Sequence, residues 1–482
     1  MKPDLLTQLK KSTQRNWLEN YDEQVDKSNL LIQNNSSQEL YKLTQTRLKQ
    51  IQSLTTKHQR KLKVVIVESH PIKFLATFLA AVIADIDLFL CDRHWQQQEW
   101  QQVLSLVSPD LVFADRVTKD LIIKTKASVN SLASQKYDLP EQSCIMIPTG
   151  GTSGKIRFTM HTWSTLTASV TGFQNYFGCH TINSCCILPL YHVSGLMQFM
   201  RSFSTQGNLI ICPYKVIKTE PITLHKQEYF ISLVPTQLQF LLKTIPEWLK
   251  QFKTVLLGGA PASRSLLELA RRSQIPLAPT YGMTETASGV VTLKPNEFLA
   301  GNNSSGQILP HARVEIQSGT NSFPDNKTGL IRISSTSLCL GYYPRLLNQS
   351  QSLVTDDLGY LDENGYLYLV GRDSQKIITG GENVFPTEVE AAIWSTQLIR
   401  DVCVIGLPDR QWGQVVTAIY VPLNSEHDLD LIKQKIQLQL AKYKQPKKWI
   451  KVNSLPRNDR GKINYQLVKA IAVISPVKRD KP

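Results

Sequence analysis

The chain has 482 residues, more than one ordinary hydrophobic core can organise, so we expect two or more domains. Hydrophobic residues make up 42% and charged residues 19% of the sequence, a balance that is typical of a folded globular protein and excludes a disordered one. The net charge of +15 would suit nucleic acid, an anionic membrane surface or a polyanionic substrate, but no aromatic–basic RNA-binding motif accompanies it.

The eight cysteines are not spaced like metal ligands, and no Cys-x-x-Cys pair occurs, so we expect buried, reduced thiols and no zinc. The N-terminus lacks the apolar core of a signal peptide, and the apolar stretch from Phe74 to Ala84 is too short to span a bilayer. We therefore expect a cytoplasmic protein, or one in the plastid stroma if its gene is in the plastid.

A solvated basic face explains the C-terminal cations more simply than a dedicated site does. They are Lys442, Lys444, Lys447, Lys448, Lys451, Lys478, Arg479 and Lys481.

Residues 1–60 are polar, with weak helical periodicity. The pattern then changes: Val64–Val67 is typical of a buried strand, Ile72–Ala84 of a helix and Leu88–Leu90 of a second strand. The same alternation returns in strands at 208–212, 229–234 and 254–257 and in helices at 236–243 and 262–272. It predicts an α/β fold with helix-covered, largely parallel sheets.

Further along, Val314–Ser318 and Gly329–Ser334 are short alternating strands that favour a small β-barrel or meander. A new unit follows Arg372, with a helix from Thr387, strands at 402–405, 415–421 and 449–452, and a helix from Asp430. This is a compact α+β domain of normal size. We predict an N-terminal domain at 1–372 and a mobile C-terminal domain at 373–482.

The loop from Thr149 to Gly154 is rich in glycine and hydroxyl groups and follows the apolar stretch 145–147. Glycines let backbone N–H groups approach phosphate oxygens, and the hydroxyls add donors. A Walker A motif is excluded, because Thr149 stands where its first glycine belongs and Ile156 where it needs Ser or Thr. Taken alone, the loop is either a phosphate cradle or a plain turn.

Four more motifs follow in a fixed order: Leu188–His192, Tyr281–Thr286, the run from Thr355 to Glu390, and Pro456–Ile463. Tyr281–Thr286 places an aromatic ring, a hydroxyl and a carboxylate together, which would serve a nucleotide with Mg²⁺. A strand-end turn with a helix cap explains the same residues singly. A loop lysine such as Lys462 is usually just solvated.

Together and in this order, the five motifs resemble the signature of the adenylate-forming enzymes, which include acyl-CoA synthetases, firefly-type luciferases and peptide-synthetase adenylation domains. The resemblance covers about residues 145–465. It implies binding of ATP, Mg²⁺, CoA and a small carboxylic acid, with Tyr281 stacking on adenine, Asp357 and Arg372 at the ribose, and Glu285 on the metal. The ATP-binding residues that it implies are Thr149, Gly150, Gly151, Thr152, Ser153, Gly154, Gly259, Ala260, Tyr281, Gly282, Thr284, Asp357, Arg372 and Lys462.

The resemblance also implies that Lys462 enters the site during adenylate formation and, with Thr284 and His192, is catalytic. The C-terminal domain would turn about a hinge at Ser374, and Gly380 and Gly381 would then line the path of CoA. Two positions depart from the family pattern: Ile156-Arg157-Phe158 replaces Pro-Lys-Gly, and Asp356 replaces a glycine.

The acid should be set by His192, Ser194, Arg201 and Gly258. Ser194, Gln198 and Arg201 would share one face of a helix at 196–203. Arg201 either snorkels to solvent or meets a second carboxylate on the substrate. The His-Val-Ser-Gly start and the arginine nine residues after His192 resemble the o-succinylbenzoate–CoA ligases of menaquinone and phylloquinone synthesis, in their cyanobacterial and plastid form.

Three functions remain open at this point: that ligase, another aryl- or fatty-acyl-CoA synthetase, and a non-catalytic nucleotide-binding or nucleic-acid-associated protein. Intact Lys462, Glu285 and Asp357 count against the third. We expect no nucleic-acid partner and no integral membrane segment, while a homodimer stays open.

Overall fold

The computed structural model describes residues 4–21, 35–56, 60–126, 140–150, 155–219, 221–224, 228–317, 328–347, 352–424, 429–457 and 462–474. Helices in these ranges are α1 (Leu5–Ser12), α2 (Ser36–Thr55), α3 (Pro71–Ile83), α4 (Gln97–Leu106), α5 (Arg116–Lys126), α6 (Trp163–Phe177), α7 (Val193–Ser204), α8 (Tyr214–Thr219), α9 (Pro235–Thr244), α10 (Pro246–Leu249), α11 (Arg264–Arg272), α12 (Pro295–Leu299), α13 (Pro386–Ser395), α14 (Leu429–Gln437) and α15 (Tyr465–Ile474).

The strands belong to four sheets. They are β1 (Leu18–Asn20), β2 (Lys63–Val67), β3 (Asp87–Leu90), β4 (Leu111–Ala114), β5 (Ile145–Gly150), β6 (Ile156–His161), β7 (Asn183–Cys186), β8 (Leu209–Ile211), β9 (Tyr229–Leu233), β10 (Thr254–Leu257), β11 (Leu277–Met283), β12 (Ser288–Thr292), β13 (Gln307–Ile308), β14 (Ala312–Gln317), β15 (Gly329–Ser335), β16 (Gly341–Tyr342), β17 (Arg345–Leu346), β18 (Ser352–Leu361), β19 (Leu367–Arg372), β20 (Ile377–Thr379), β21 (Glu382–Val384), β22 (Ile399–Asp409), β23 (Gly413–Pro422) and β24 (Lys448–Lys451).

Two large sheets form the body of the N-terminal part. A seven-stranded sheet has the order β17-β16-β6-β5-β3-β2-β4, and an eight-stranded sheet has the order β1-β8-β7-β9-β10-β11-β12-β13. The strands β2, β3, β4 and β5 pair in parallel, as do neighbours from β1 to β11 in the larger sheet. The predicted helix-covered parallel sheets are therefore confirmed.

One hydrophobic core joins the two sheets. It contains Val64 and Ile66 from the smaller sheet, Leu209 and Ile211 from the larger one, and the almost continuous apolar surface of α3 between them. A helix that is apolar all round must be covered on all sides, which explains why α3 lies between two layers.

The N-terminal residues contain a strand that the sequence analysis did not predict. β1 pairs in parallel with β8 at the edge of the larger sheet, and Trp17 beside it is 1% exposed and packs against Phe203. The weak helical periodicity reflects α1 and α2 only. A strand of three residues in a polar segment is too short to show a recognisable alternation of apolar and polar residues.

The predicted small β part is a four-stranded antiparallel sheet in the order β14-β15-β18-β19, so the meander alternative describes it. The helix expected from residue 262 begins two residues later, at Arg264. The reason is that the Ser263 hydroxyl accepts a hydrogen bond from the Leu266 N–H at 3.3 Å and caps the helix.

The C-terminal unit has a sheet of its own, in the order β21-β20-β23-β22 with β24 paired to β23. Separate apolar clusters cover its two faces, with α13 and α14 contributing to one and α15 to the other. The predicted strands and helices are present. The boundary between residues 372 and 373 stays a prediction.

All eight cysteines are buried and form no disulfide. Within the described ranges, no helix is both long and apolar enough to cross a membrane.

Candidate active site

The predicted phosphate loop lies at the tip of a hairpin formed by β5 and β6. Thr149 is paired with Arg157 and Gly150 with Ile156, so the two strands hold both ends of the loop. The loop residues Gly151, Thr152, Ser153 and Gly154 lie outside the described residues. The hairpin itself is anchored by the Ile156 N–H, which donates to the Gln102 side chain at 3.0 Å.

The second predicted nucleotide element is a tight turn between β11 and β12. Tyr281 and Gly282 lie at the end of β11, and residues 284–286 form a single turn of 3-10 helix. Gly282 is required by a close approach, because a Cβ there would lie 2.1 Å from the Ser288 carbonyl oxygen. Ala287 and Ser288 both adopt positive φ, at 52° and 99°. Such strain in residues with side chains persists only where the surroundings fix it.

Four hydrogen bonds from three other segments fix this turn, which we call the nucleotide turn (residues 284–288). Each bond reaches a different backbone carbonyl of the turn. The bonds are His161 Nε2 to Thr284 O (2.7 Å), Cys339 N to Glu285 O (2.8 Å), Ser337 Oγ to Thr286 O (2.8 Å) and Ser169 Oγ to Ala287 O (2.7 Å). Because a carbonyl can only accept, His161 carries its proton on Nε2, and burial lowers the pKa of His161 to about 4.

Glu285 projects from the nucleotide turn and is 7% exposed. Its Oε1 accepts a hydrogen bond from the Tyr342 hydroxyl at 2.8 Å, and burial raises the pKa of that phenol. No described lysine or arginine forms an ion pair with Glu285. A buried carboxylate with a free oxygen fits a divalent cation, because Mg²⁺ is commonly held by one or two carboxylates together with substrate phosphates.

Asp357 and Arg372, the two residues predicted at the ribose, are brought together with Tyr281, which was predicted at the adenine. Asp357 and Arg372 are directly paired between β18 and β19, and the Arg372 Nε donates to Asp357 Oδ1 at 3.0 Å. The Tyr281 hydroxyl donates to Asp357 Oδ2 at 2.9 Å. Each carboxylate oxygen can still accept a further hydrogen bond. Tyr281 is 6% exposed, and its stacking on adenine stays a prediction.

Gly258, Gly259 and Ala260 directly follow β10, beside the strand that leads to the nucleotide turn. A Cβ on Gly258 would lie 2.6 Å from Thr280 Oγ1, and Gly259 has a φ of 81°. The segment therefore passes β11 at a distance that side chains would prevent.

Ser374, the predicted hinge residue, is held by Asp356, the aspartate that stands where the family pattern has a glycine. The Ser374 N–H donates to Asp356 Oδ1 at 3.0 Å, and its hydroxyl donates to Asp356 Oδ2. Both residues are exposed. The aspartate thus caps the short 3-10 turn at 373–375, which explains locally why a carboxylate at position 356 is accommodated.

Gly380 and Gly381 form the tight turn between β20 and β21, with φ of 61° and 86°. The Gly380 N–H donates to the Trp412 carbonyl at 2.9 Å, and a Cβ on Gly380 would meet the Trp412 ring at 2.9 Å. The Lys447 ammonium lies 3.2 Å from the centre of that ring. This turn therefore combines bare backbone, an aromatic ring and a cation.

Lys462 is exposed and directly precedes Ile463, which forms a bridge with Arg457. Arg457 in turn forms an ion pair with Asp401 at 2.7 Å. The base of the lysine loop is therefore fixed to β22. The C-terminal sheet, with Lys462, Gly380 and Gly381, supplies none of the hydrogen bonds that hold the nucleotide turn.

Apart from Gly258, the predicted acyl-site residues lie at the start and along one face of α7, which confirms the predicted helix. His192 is the residue before the helix, and its ring packs against Tyr191. The Gln198 Nε2 donates to the Ser194 carbonyl at 3.1 Å, as the shared face requires. The Gln198 Oε1 has no hydrogen-bond partner among the described residues.

Arg201 is 4% exposed, so the snorkelling alternative is wrong. Its guanidinium lies 4.0 Å above the centre of the Phe173 ring, and Nη2 donates to Ser288 Oγ at 3.1 Å. Within the part of the chain that the structure describes, Nε has no hydrogen-bond partner and no carboxylate lies within ion-pair distance. Burial lowers the pKa of Arg201 to about 10, which leaves it charged at neutral pH.

The sequence analysis missed His311, which lies beside Arg201. Neither ring nitrogen has a described partner, and burial together with the Arg201 charge lowers the pKa of His311 to about 4. A Cβ on Gly172 would lie 1.8 Å from His311 Nδ1, so only glycine leaves room for the imidazole. His161, Ser169, Ser337 and Tyr342 were also missed, because no local spacing marks a contact between distant segments.

Two family models and several known proteins match this chain. The AMP-binding enzyme model matches residues 49–343, and the AMP-binding enzyme C-terminal domain model matches residues 388–462. The 2-succinylbenzoate–CoA ligase of Listeria monocytogenes is 32% identical over 433 residues, which cover 82% of this chain and 86% of the relative. That of Enterococcus faecalis is 35% identical over 354 residues, 69% and 71% of the two chains.

Solved structures share the fold. The o-succinylbenzoate CoA synthetase of Bacillus subtilis, in complex with the acyl-adenylate intermediate OSB-AMP, superposes with a TM-score of 0.79 at 24% identity and covers 97% of this chain and 98% of its own. ATP-bound MatB from Rhodopseudomonas palustris gives a TM-score of 0.79 at 21% identity, covering 98% and 99%.

The buried His161 predicts a pH dependence of stability. Its folded pKa of about 4 lies below the ordinary 6.5, so between these values the unfolded chain binds more protons. Its contribution to stability is thus complete above about pH 6.5 and lost as the pH falls towards 4. Between pH 7 and pH 5, the wild type should therefore lose about 2 kcal/mol more of its unfolding free energy than His161→Gln does. Urea titration at the two pH values measures this difference. His180→Gln, at an exposed histidine, is the matched control, and equal pH slopes for all three proteins would contradict the assignment.

Proposed function

Because this chain belongs to the family of AMP-binding enzymes, we propose that it is a 2-succinylbenzoate–CoA ligase, which joins this aromatic dicarboxylic acid to coenzyme A with ATP as the energy source. 2-Succinylbenzoate is the o-succinylbenzoate suggested by the sequence. The chain is an acid–thiol ligase that forms AMP and pyrophosphate. The observation that carries the substrate assignment is Arg201, a buried cation that has no carboxylate partner among the described residues.

The reaction has two half-reactions. In the first, an oxygen of the succinyl carboxylate bonds to the α-phosphorus of ATP, and the bond from that phosphorus to pyrophosphate breaks. In the second, the CoA sulfur bonds to the activated carbonyl carbon, the bond from that carbon to AMP breaks, and the thiol proton passes to solvent. The described side chains bind, orient and stabilise charge in both steps.

We assign the nucleotide to the surface between the nucleotide turn and the hairpin of β5 and β6, which carries the predicted phosphate loop and is called the phosphate hairpin below. Asp357 would accept the ribose hydroxyls while Tyr281 and Arg372 fix its orientation, and the Thr284 hydroxyl would reach the α-phosphate. Glu285 would hold Mg²⁺, which neutralises phosphate charge when bound. The roles of Thr149 to Gly154 rest on the family resemblance.

The C-terminal unit would serve the two half-reactions in turn. Lys462 would stabilise the charge that develops when the carboxylate attacks, and rotation about Ser374 would then bring Gly380 and Gly381 to the acyl-adenylate. Trp412 and Lys447 beside that turn are suited to a polyanionic thiol such as CoA. This arrangement implies separate domains at 1–372 and 373–482.

The residues around Arg201 favour a dicarboxylic acid. A buried guanidinium with no anionic partner is costly, and a ring carboxylate at Arg201 would remove that cost. The ring nitrogens of His311, which have no partner in the described ranges, offer a further hydrogen bond next to it. A simple fatty or aryl monocarboxylic acid would leave the buried Arg201 charge without an anion. Another acyl-CoA synthetase is therefore only the second candidate.

This function would place the protein in menaquinone or phylloquinone synthesis, in the cytoplasm or the plastid stroma. Homodimer formation stays an open prediction, as does the absence of a nucleic-acid partner.

The first test separates the two half-reactions. Lys462→Ala should lower adenylate formation by about 100-fold or more, while CoA attack on pre-made acyl-adenylate is largely retained. Pyrophosphate release measures the first step and thioester formation from synthetic adenylate the second. Lys469→Ala, at an exposed lysine of α15, is the control. Equal losses in both steps would rule out domain alternation.

The second test concerns the nucleotide and the metal. Asp357→Ala should weaken ATP binding by roughly 1.5–3 kcal/mol, because hydrogen bonds to a charged group are lost. Glu285→Gln should instead raise the Mg²⁺ concentration that ATP binding requires. Calorimetric titrations check both variants, with Glu363→Gln as an exposed control. Unchanged ATP and Mg²⁺ titrations would remove both roles.

The third test addresses Arg201. Breaking a desolvated charge pair commonly costs about 2–5 kcal/mol, so Arg201→Ala should lower kcat/KM for 2-succinylbenzoate by roughly 30- to 5,000-fold. An analogue without the ring carboxylate should be a poor substrate of the wild type and lose little more in the variant, a strong non-additivity expected for groups in contact. Arg264→Ala, at an exposed arginine, controls for loss of charge. Simple addition of the two losses would show that Arg201 does not meet that carboxylate.

A further inference from the structure

Arg157 departs from the family pattern, and the structure shows what it contacts. Its guanidinium lies 4.5 Å above the centre of the Tyr342 ring. The hydroxyl of the same tyrosine donates to Glu285 Oε1 at 2.8 Å. One aromatic side chain therefore lies between a cation of the phosphate hairpin and the carboxylate of the nucleotide turn.

The backbone fixes this arrangement on both sides. On one side of the hairpin, Arg157 is paired with Thr149. Two residues further along the same strand, Thr159 is paired with Tyr342 on β16. The Cys339 N–H, three residues before Tyr342, donates to the Glu285 carbonyl at 2.8 Å. The same short segment thus holds both the backbone and the side chain of Glu285.

A hydrogen bond to one carboxylate oxygen has a definite consequence. It stops rotation of the carboxylate group and leaves Oε2 as the oxygen that can meet a cation. Groups that hydrogen-bond to a metal ligand commonly tune the affinity of the site, because they orient the ligand before the metal arrives. A cation over the ring polarises the phenol and makes its O–H a better donor.

We propose that Tyr342 is a positioning residue that orients Glu285 for the divalent cation of the nucleotide complex, and that Arg157 acts on this cation site through the Tyr342 ring. The proposal rests on the proposed function, since it takes Glu285 as the metal ligand. Tyr342 would act through its hydrogen bond to Glu285 and not by touching substrate or metal.

The test measures ATP binding by calorimetry over a range of Mg²⁺ concentrations, with no acyl substrate present. Tyr342→Phe should raise the Mg²⁺ concentration for half-maximal ATP binding by on the order of 10-fold. Binding of AMP without metal should be unchanged. Tyr343→Phe makes the same change one residue along, where the ring packs against Phe89 in the core, and it should leave the Mg²⁺ dependence unaltered. Electron paramagnetic resonance of Mn²⁺ with ATP gives a readout that is independent of turnover.

Arg157 needs variants that separate its two routes of action. Arg157→Lys should retain most of the effect, and Arg157→Gln should raise the Mg²⁺ requirement in the wild type but hardly at all in the Tyr342→Phe background. A direct phosphate contact alone would weaken ATP binding equally with and without metal, and in both backgrounds. That result would overturn the part of the proposal that concerns Arg157.

Failure of the inference and failure of the function can be told apart. If wild-type ATP binding depends on Mg²⁺ but Tyr342→Phe has the wild-type dependence, Tyr342 has no positioning role and the proposed ligase function stands. If Tyr342→Phe lowers only the urea midpoint, the hydrogen bond is structural and the inference is overturned. If the wild type shows no Mg²⁺-dependent ATP binding, the proposed function itself fails.

Discussion

The rest of the site depends on the hydrogen bonds that hold the nucleotide turn. Four successive carbonyls, from Thr284 to Ala287, are each met by a donor, and the four donors come from three separate segments. Without these donors, two residues with side chains would not keep positive φ at 287 and 288. The fold brings the donors there: His161 ends β6, Ser169 lies on α6, and the other two precede β16. Two sheets and the core between them are therefore needed to shape five residues.

The same turn connects the two halves of the proposed chemistry. Glu285 projects from one side towards Tyr342 and the phosphate hairpin, while Ser288 on the other side receives the Arg201 guanidinium. An acid bound at Arg201 and a nucleotide bound at Glu285 would thus meet across a few residues of fixed backbone. Fixed geometry of this kind is what an attack of carboxylate on phosphorus needs, since reacting groups must be held at close range. The movement that the proposed mechanism requires is left to the C-terminal unit.

Much of this was open to prediction from sequence, for identifiable reasons. Strands such as Val64–Val67 and helices such as α3 carry strong local periods, and the motifs around Tyr281, Asp357 and Arg372 are contiguous runs. Contacts between distant segments carry no such signal. His161 meets Thr284 across 123 residues, and Arg201 meets Ser288 across 87. The strand β1 was missed because three residues are too few to show a period, and His311 because a single imidazole has no spacing at all.

The central claim is that this site activates a carboxylic acid that carries a second carboxylate. The most direct measurement is pyrophosphate release by the wild-type protein with ATP and Mg²⁺ across a panel of carboxylic acids. The panel pairs 2-succinylbenzoate with its analogue that lacks the ring carboxylate, and adds benzoates and fatty acids. The account predicts the highest kcat/KM for 2-succinylbenzoate, with a loss of roughly 30-fold or more for the analogue, as expected when a buried charge loses its partner. A preference for a monocarboxylic acid would contradict it.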